Sequence, residues 1–241
     1  MLWRDYGKAE KHHGRGGKVN RPLVTFYTRA YNAEKYIEKT INSVLNQTEG
    51  NIEWILINNA STDSTGDICK KYAEKDKRII YLENEKNTVL HPEYKGKSVK
   101  PNGEYYSIVD ADDYLDLDFV KIMYSAAKQS DADIAICGTN YVYSDYDIVK
   151  SSRIPPKLIT SDLKEVGEKF EELYGMLRVL WAKLFKTDFF RKNGLFAWDR
   201  PKWMKSGLDT FAMLRYLSHC KTFLSIDKPL HYFRIHDDSF Y

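Results

Sequence analysis

Tyr105-Tyr106-Ser107-Ile108-Val109-Asp110-Ala111-Asp112-Asp113 joins a β-type run to three carboxylates within four residues. Buried strands do not normally finish this way, because like charges packed at a strand end repel and need a compensating cation. Carboxylate oxygens are hard ligands that suit Mg²⁺ or Mn²⁺. The stretch therefore reads as the end of a strand that opens onto a metal-dependent site.

Upstream, the same pattern recurs. Leu23-Val24-Thr25-Phe26-Tyr27 is a short apolar β run, and Ala33, Ile37, Ile41, Val44 and Leu45 follow at helical spacing, with Asn32 as the expected N-cap. Trp54-Ile55-Leu56-Ile57 is a second strand, Asn58 to Gly66 a polar turn, and Ile68 to Ala73 a second helix. Ile79-Ile80-Tyr81-Leu82 is a third strand, and Ile108-Val109 ends a fourth. Strands alternating with helices predict an α/β fold with a mostly parallel sheet whose ligands lie beyond the strands' carboxyl ends. Each polar cluster falls at such an end.

These motifs, in this order, resemble a family 2 glycosyltransferase of the GT-A (Rossmann-like) fold, of the bacterial surface-polysaccharide type. Tyr31-Asn32-Ala33-Glu34-Lys35-Tyr36-Ile37 resembles the family's opening loop and helix, and Ser43 to Thr48 that helix's end. Ile57 to Asp63 resembles the second-strand signature, Asp110-Ala111-Asp112-Asp113 the metal-binding signature, and Trp181-Ala182-Lys183-Leu184-Phe185 and Gly207-Leu208-Asp209-Thr210 two acceptor-side motifs. Pro229 to His236 has a counterpart near the end of such domains. The match runs from about residue 22 to 240.

The resemblance implies an inverting transfer from a nucleotide sugar, in which a divalent cation, Mn²⁺ or Mg²⁺, offsets the charge of the departing diphosphate. Asp112 is the expected direct ligand, Asp110 helps at the metal or at the donor ribose, and His236 completes the shell or is a surface histidine. An acceptor hydroxyl is a weak nucleophile that needs a general base. Asp209 is the candidate, with a helix N-cap as its alternative role, and Leu208 stands where the family usually carries a second carboxylate. Asn59 replaces the carboxylate that reads the nucleobase; its amide oxygen still accepts a hydrogen bond, so uracil stays readable. Tyr31 stacks on the base or packs between strand and helix, and Asp63 caps the next helix or touches ligand.

Arg29 occupies a usual proline position and reaches phosphate or pairs with a carboxylate. The family's Ala-Arg-Asn element is missing between Asn87 and Pro101, where Lys95, Lys97 or Lys100 meets the diphosphate or lies in a solvated loop. Trp181 and Lys183 are expected acceptor contacts, with core packing as the alternative role of Trp181, and so is Trp203 in the polar stretch Asp199 to Lys205, which reads as a flap. Helices are expected over Phe119 to Ala127 and Leu163 to Met176, with strands at Ile134 to Ile136 and Tyr141 to Tyr143.

A chain of 241 residues accommodates one substantial core. Residues 1–21 read as a basic flexible tail and 22–241 as one domain, with a donor half at 22–115 and an acceptor half at 116–241, in a protein that extends past Tyr241. A net charge of +3 and the lack of any nucleic-acid motif exclude nucleic acid as a partner. Cys69, Cys137 and Cys220 are odd in number and widely spaced, which points to a reducing compartment. No apolar run reaches the roughly 20 residues that span a bilayer. The expected place is the cytoplasm at the inner membrane face, with Trp3, Tyr6 and the basic tail offering peripheral contact to anionic lipid. The expected partners are a nucleotide-sugar donor and a glycan or lipid-linked saccharide acceptor. A GT-A domain that binds nucleotide or glycan without turnover is the alternative, and a nucleotidyltransferase is disfavoured because Thr28-Arg29-Ala30-Tyr31 lacks glycine.

Overall fold

The computed structural model describes residues 21–87, 93–94, 97–98, 100–143, 148–196 and 206–236. The tail at 1–20, Lys95, the Lys97 side chain, Trp203 and the proposed flap from Asp199 to Lys205 lie outside the described residues. Arg21, expected to belong to the tail, donates to the Asn102 carbonyl at 2.8 Å and pairs with Asp188 at 3.4 Å.

In chain order the elements are β1 (Val24–Ala30), α1 (Ile37–Leu45), β2 (Ile52–Asn58), α2 (Thr65–Lys75) and β3 (Ile79–Glu83). The short strands β4 (Glu93–Tyr94) and β5 (Lys97–Ser98) precede β6 (Tyr105–Ile108), β7 (Tyr114–Leu115), α3 (Phe119–Gln129) and β8 (Ile134–Tyr143). Then come β9 (Val149–Arg153), β10 (Leu158–Thr160), α4 (Leu163–Glu168), α5 (Phe170–Leu177), β11 (Lys183–Lys186), α6 (Thr187–Lys192), α7 (Leu208–Leu217) and β12 (Phe223–Ile235). No helix among the described residues is long and apolar enough to cross a membrane.

One large sheet has the order β10-β12-β8-β11-β6-β1-β2-β3. β3, β2, β1 and β6 are mutually parallel, as are β8 and β12, while β11 joins the two sets by antiparallel pairing to both β6 and β8. The chain runs outward from β1 through β2 to β3 and returns on the other side of β1 to form β6. Strand order therefore reverses between β1 and β6, the switch point where open α/β sheets leave a crevice beyond the strand ends. β1 ends at Arg29 and Ala30, and β6 runs into Val109 and Asp110.

Alternation along the strands divides the core between two faces. Phe26, Trp54 and Leu56 point to the side packed by Ile37, Ile41 and Val44 of α1 and by Phe119 and Met123 of α3. Tyr27, Ile55 and Ile57 point to the other side, with Leu173, Phe190 and Tyr216. Burial on both faces explains why β2 reads as an unbroken apolar run. The Trp54 indole nitrogen, enclosed with its ring, donates to Thr28 Oγ1 at 3.1 Å.

Three expectations about elements are corrected. The first helix starts at Ile37 and Asn32 is not its cap: Asn32 has a left-handed φ of 48°, and its side-chain oxygen accepts the Thr62 amide hydrogen at 2.9 Å. The helix expected over Leu163 to Met176 is two helices meeting at Lys169. Tyr141 to Tyr143 is the end of β8, not a separate strand.

Candidate active site

The acidic turn is held from below by α1. Thr40, wholly buried, donates its hydroxyl to the carbonyls of Ala111 and Asp113 at 2.9 and 2.6 Å. Ser43 accepts the Leu115 amide hydrogen at 3.2 Å, and Gln47 donates to the Asp116 carbonyl at 2.7 Å while accepting from the Val120 amide at 2.8 Å. Buried polar groups need such partners, and here the partners are the backbone of the turn that carries the carboxylates. Thr40, Ser43 and Gln47 were not singled out from the sequence, although their spacing along the buried face of α1 and just past its end was the available signal.

From above, the end of β12 closes on the same turn. Asp113 is fully enclosed; its Oδ1 accepts the Arg234 amide hydrogen at 2.9 Å, and Arg234 Nε donates to the Asp112 carbonyl at 2.7 Å. The Arg234 guanidinium lies over the rings of Tyr36 and Tyr114, at 4.9 and 5.5 Å. His231 Nε2 is 3.2 Å from Asp113 Oδ2 but outside hydrogen-bond geometry. Burial pushes His231 down to about 3 and Asp113 well above the usual carboxylate range.

Asp110 and Asp112 face the crevice. Asp110 keeps solvent-accessible surface at the crevice floor although protein crowds it. Desolvation, then the neighbouring carboxylates of Asp113, Asp112 and Asp209, raise its pKa well above the usual value, with Arg29 opposing. Asp112 Oδ2 lies 2.9 Å from His236 Nε2, and the His236 ring stacks on Tyr36 at 4.9 Å. Among the described residues no three carboxylate, imidazole or thiol side chains converge on a point that could hold an ion. The oxygen donor set and the mutual repulsion at Asp110 nevertheless suit Mg²⁺ or Mn²⁺, since Mg²⁺ commonly takes only one or two carboxylates and completes its shell with water and substrate phosphate.

Asp209 stands in the first turn of α7 and does not cap it; Gly207, at a left-handed φ of 71°, precedes the helix. Burial raises the Asp209 pKa, while Lys183 and then Arg29 pull it down. Arg29 thus acts electrostatically on both Asp110 and Asp209, near the β1/β6 switch point. Tyr31 is 46% exposed at the rim of this crevice.

Three expected ligand contacts are corrected by burial. Asn59 is 1% exposed; its amide nitrogen donates to Asn87 Oδ1 at 2.6 Å and its oxygen accepts from Asn84 at 3.0 Å, so its amide is spent inside the protein and not on a base. Trp181 is 4% and Lys183 0% exposed, so neither presents a surface to an acceptor. Asp63 ties loops together, accepting the amide hydrogens of Thr65 at 3.0 Å and Glu34 at 3.1 Å. Asn59→Asp should therefore not improve a nucleotide site. It is expected to lose about 1–3 kcal/mol of stability, because it buries a charge and sets a carboxylate oxygen against Asn87 Oδ1; the urea midpoint at unchanged slope measures this.

Comparison with known proteins identifies the family and the fold. The chain is 30% identical to the glycosyltransferase GlyA of Streptococcus pneumoniae over 176 residues, which cover 70% of this chain and 25% of GlyA. It is 31% identical over 199 residues to EpsJ of Bacillus subtilis, an uncharacterized glycosyltransferase, covering 75% of this chain and 54% of EpsJ. The chain thus spans about a quarter to a half of the length of these curated relatives. The crystal structure of S. aureus TarS 1-349 in complex with UDP-GlcNAc superposes with a TM-score of 0.69 at 19% identity, over 90% of this chain and 59% of TarS 1-349, and shares the GT-A fold. The sequence profile described as Glycosyl transferase family 2 matches residues 25–191, and the chain belongs to that family.

Proposed function

We propose that this chain is the catalytic domain of an inverting glycosyltransferase that moves a sugar from a UDP-sugar to a hydroxyl of a glycan or lipid-linked saccharide in bacterial surface-polysaccharide synthesis. The observation that carries the reading is the acidic turn of Asp110 and Asp112 beyond the carboxyl end of β6 at the sheet's switch point, with Asp209 and Arg29 in electrostatic reach of Asp110. The UDP-GlcNAc bound to the similarly folded TarS supports uridine as the donor base.

In this reading Asp209 takes the proton from the acceptor hydroxyl as the oxygen attacks the anomeric carbon from the face opposite the diphosphate, which inverts that centre. Arg29, which acts electrostatically on both carboxylates, limits their repulsion and offers donors to the diphosphate. Tyr31 offers its exposed ring to the base. Asp112 and Asp110 would hold the divalent cation, with His236 orienting Asp112 through its 2.9 Å contact. When bound, that cation offsets the charge developing on the departing diphosphate. A lipid-linked acceptor places the reaction at the cytoplasmic membrane face.

Calorimetric binding of UDP, GDP, CDP and dTDP, each with Mn²⁺ and with chelator, tests the donor site. Metal-dependent binding of UDP alone is expected. Binding of none would refute the donor site, and binding without turnover of any UDP-sugar would favour a nucleotide-binding module, for which Leu208 in place of a second carboxylate is the sequence motive.

A further inference from the structure

Helices α5 and α7 pack on one face of the sheet through Leu173 and Met213 and leave an apolar groove of about 300 Å³ between them, open to solvent. It is lined by Phe170 and Tyr174 of α5, Leu214 and Leu217 of α7 and Leu163 of α4. From Thr210 to Leu217 it follows α7 for about 10 Å. Leu163, Phe170, Tyr174 and Leu214 stay exposed there. Apolar side chains scattered singly over a surface are ordinary, but four lining one groove mark a binding surface.

The end of the groove nearest Asp209 carries a charge. Among the described residues that line it Arg178 is the one charged side chain; the exposed carboxylates of α4 and α5, Glu165, Glu168, Glu171 and Glu172, line none of it. Arg178 is exposed, its guanidinium lies over the Tyr174 ring at 5.2 Å, and its carbonyl accepts the hydroxyl of Thr210, the residue after Asp209, at 3.3 Å. A second arginine stands beside it. Arg153, at the end of β9, reaches α5, where its Nη1 fills the space that a Cβ on Gly175 would need. Gly175 and Arg178 are three residues apart, with Arg178 still helical, and so are neighbours on the helix surface. The Arg153 guanidinium lies over the Tyr141 ring at 5.6 Å. Among the described residues neither guanidinium group pairs with a carboxylate or donates a hydrogen bond.

We propose that the acceptor is a saccharide carried on a lipid diphosphate, that the groove between α5 and α7 holds its lipid chain, and that Arg178 and Arg153 take its diphosphate beside Asp209. This rests on the transferase reading above and names the acceptor class for it. A hydrocarbon chain fills such a groove without needing hydrogen bonds, whereas a peptide would bring backbone amides that apolar walls leave unsatisfied. Two guanidinium forks without carboxylate partners suit phosphate oxygens, which they bind bidentately. The order of the parts matches the chemistry: the chain lies along α7, the cations follow at its Thr210 end, and the sugar beyond the diphosphate comes to the carboxylate next to Thr210.

The test is calorimetric binding of geranyl diphosphate, geraniol and inorganic pyrophosphate, with chelator so that the cation site plays no part, to wild type, Arg178→Gln and Leu214→Gln. Wild type should bind geranyl diphosphate more tightly than either fragment. Arg178→Gln should weaken geranyl diphosphate by about 10–100-fold, the usual loss of a charge-assisted contact, and leave geraniol in place. Leu214→Gln should weaken both lipids and leave pyrophosphate in place. Both side chains are exposed, so both variants should melt with wild type; should Arg178→Gln not fold, Arg153→Gln is expected to act in the same direction. No binding of geranyl diphosphate, equal affinity in all variants, or pyrophosphate binding as tightly as geranyl diphosphate overturns the proposal. So does displacement of geranyl diphosphate by UDP, which would put it in the donor site, or a dimer in sedimentation that Leu214→Gln dissociates, which would give the groove to a second copy of the chain. Failure to bind UDP with Mn²⁺ would instead overturn the transferase reading and leave the lipid-diphosphate site measurable.

Discussion

Replacing Asp209 with Asn is expected to slow sugar transfer by about 10²–10⁴-fold, the usual contribution of a positioned general base, with UDP affinity unchanged. Asparagine keeps the shape and hydrogen-bonding oxygen of aspartate but cannot take a proton from the acceptor. The variant should fold, because Asp209 neither caps α7 nor accepts a hydrogen bond among the described residues, and Gly207 makes the left-handed approach to the helix. Comparing single-turnover transfer with calorimetric UDP binding separates loss of the base from loss of the site. Equal rates in wild type and variant would place the base elsewhere.

A pH profile sharpens this prediction. Burial raises the Asp209 pKa above the usual carboxylate value, with Lys183 and Arg29 opposing. Activity depends on the ionised form, so the rate should fall as pH drops through that raised value. The slow residual rate of Asp209→Asn should lack this limb.

How much of this was legible in the sequence depended on how local the deciding interaction is. β1, β2, β3 and β6, and the polar turns at their ends, were readable because each strand's apolar run is contiguous and the fold places ligands at strand ends. Asn59 was misread because its partners, Asn84 and Asn87, lie 25 and 28 residues further on, and nothing local shows that its amide is already engaged. Lys183 was expected to face an acceptor because of its chemistry, and Trp181 either to face a sugar or to pack in the core, where it lies. Which way they point is set by the left-handed kink at Ala182 and by the stack on His231, neither of which has a sequence signature. The grip of Arg234 on the acidic turn joins residues 121 and 122 positions apart. By contrast, Thr40 and Ser43 were readable in principle, as polar residues on the buried stripe of an amphipathic helix, with Gln47 just past its end.

Asp112→Asn is expected to abolish the metal dependence of UDP binding, weakening it in the presence of Mn²⁺ by more than about 100-fold, beyond the 10–100-fold typical of losing only an outer-shell partner. Asp112 suits direct ligation better than its neighbours do. Asp113 is fully enclosed and engaged by the Arg234 amide, and Asp110, although exposed at the crevice, is the carboxylate whose ionisation the crowding protein and neighbouring charges oppose. Asp112 keeps its side chain 35% exposed, and its backbone carbonyl, held by Arg234 Nε, fixes the carboxylate's origin without using its oxygens. Asparagine preserves the contact with His236 and removes only the charge. The fold should therefore persist, and UDP affinity with chelator should stay at the wild-type value. If instead the Mn²⁺ enhancement survives in Asp112→Asn but disappears in Asp110→Asn, the cation rests on Asp110 and Asp112 serves the donor ribose. If it survives in both, the cation is held away from this turn, and the repulsion among Asp110, Asp112 and Asp113 is offset by Arg29, Arg234 and His236.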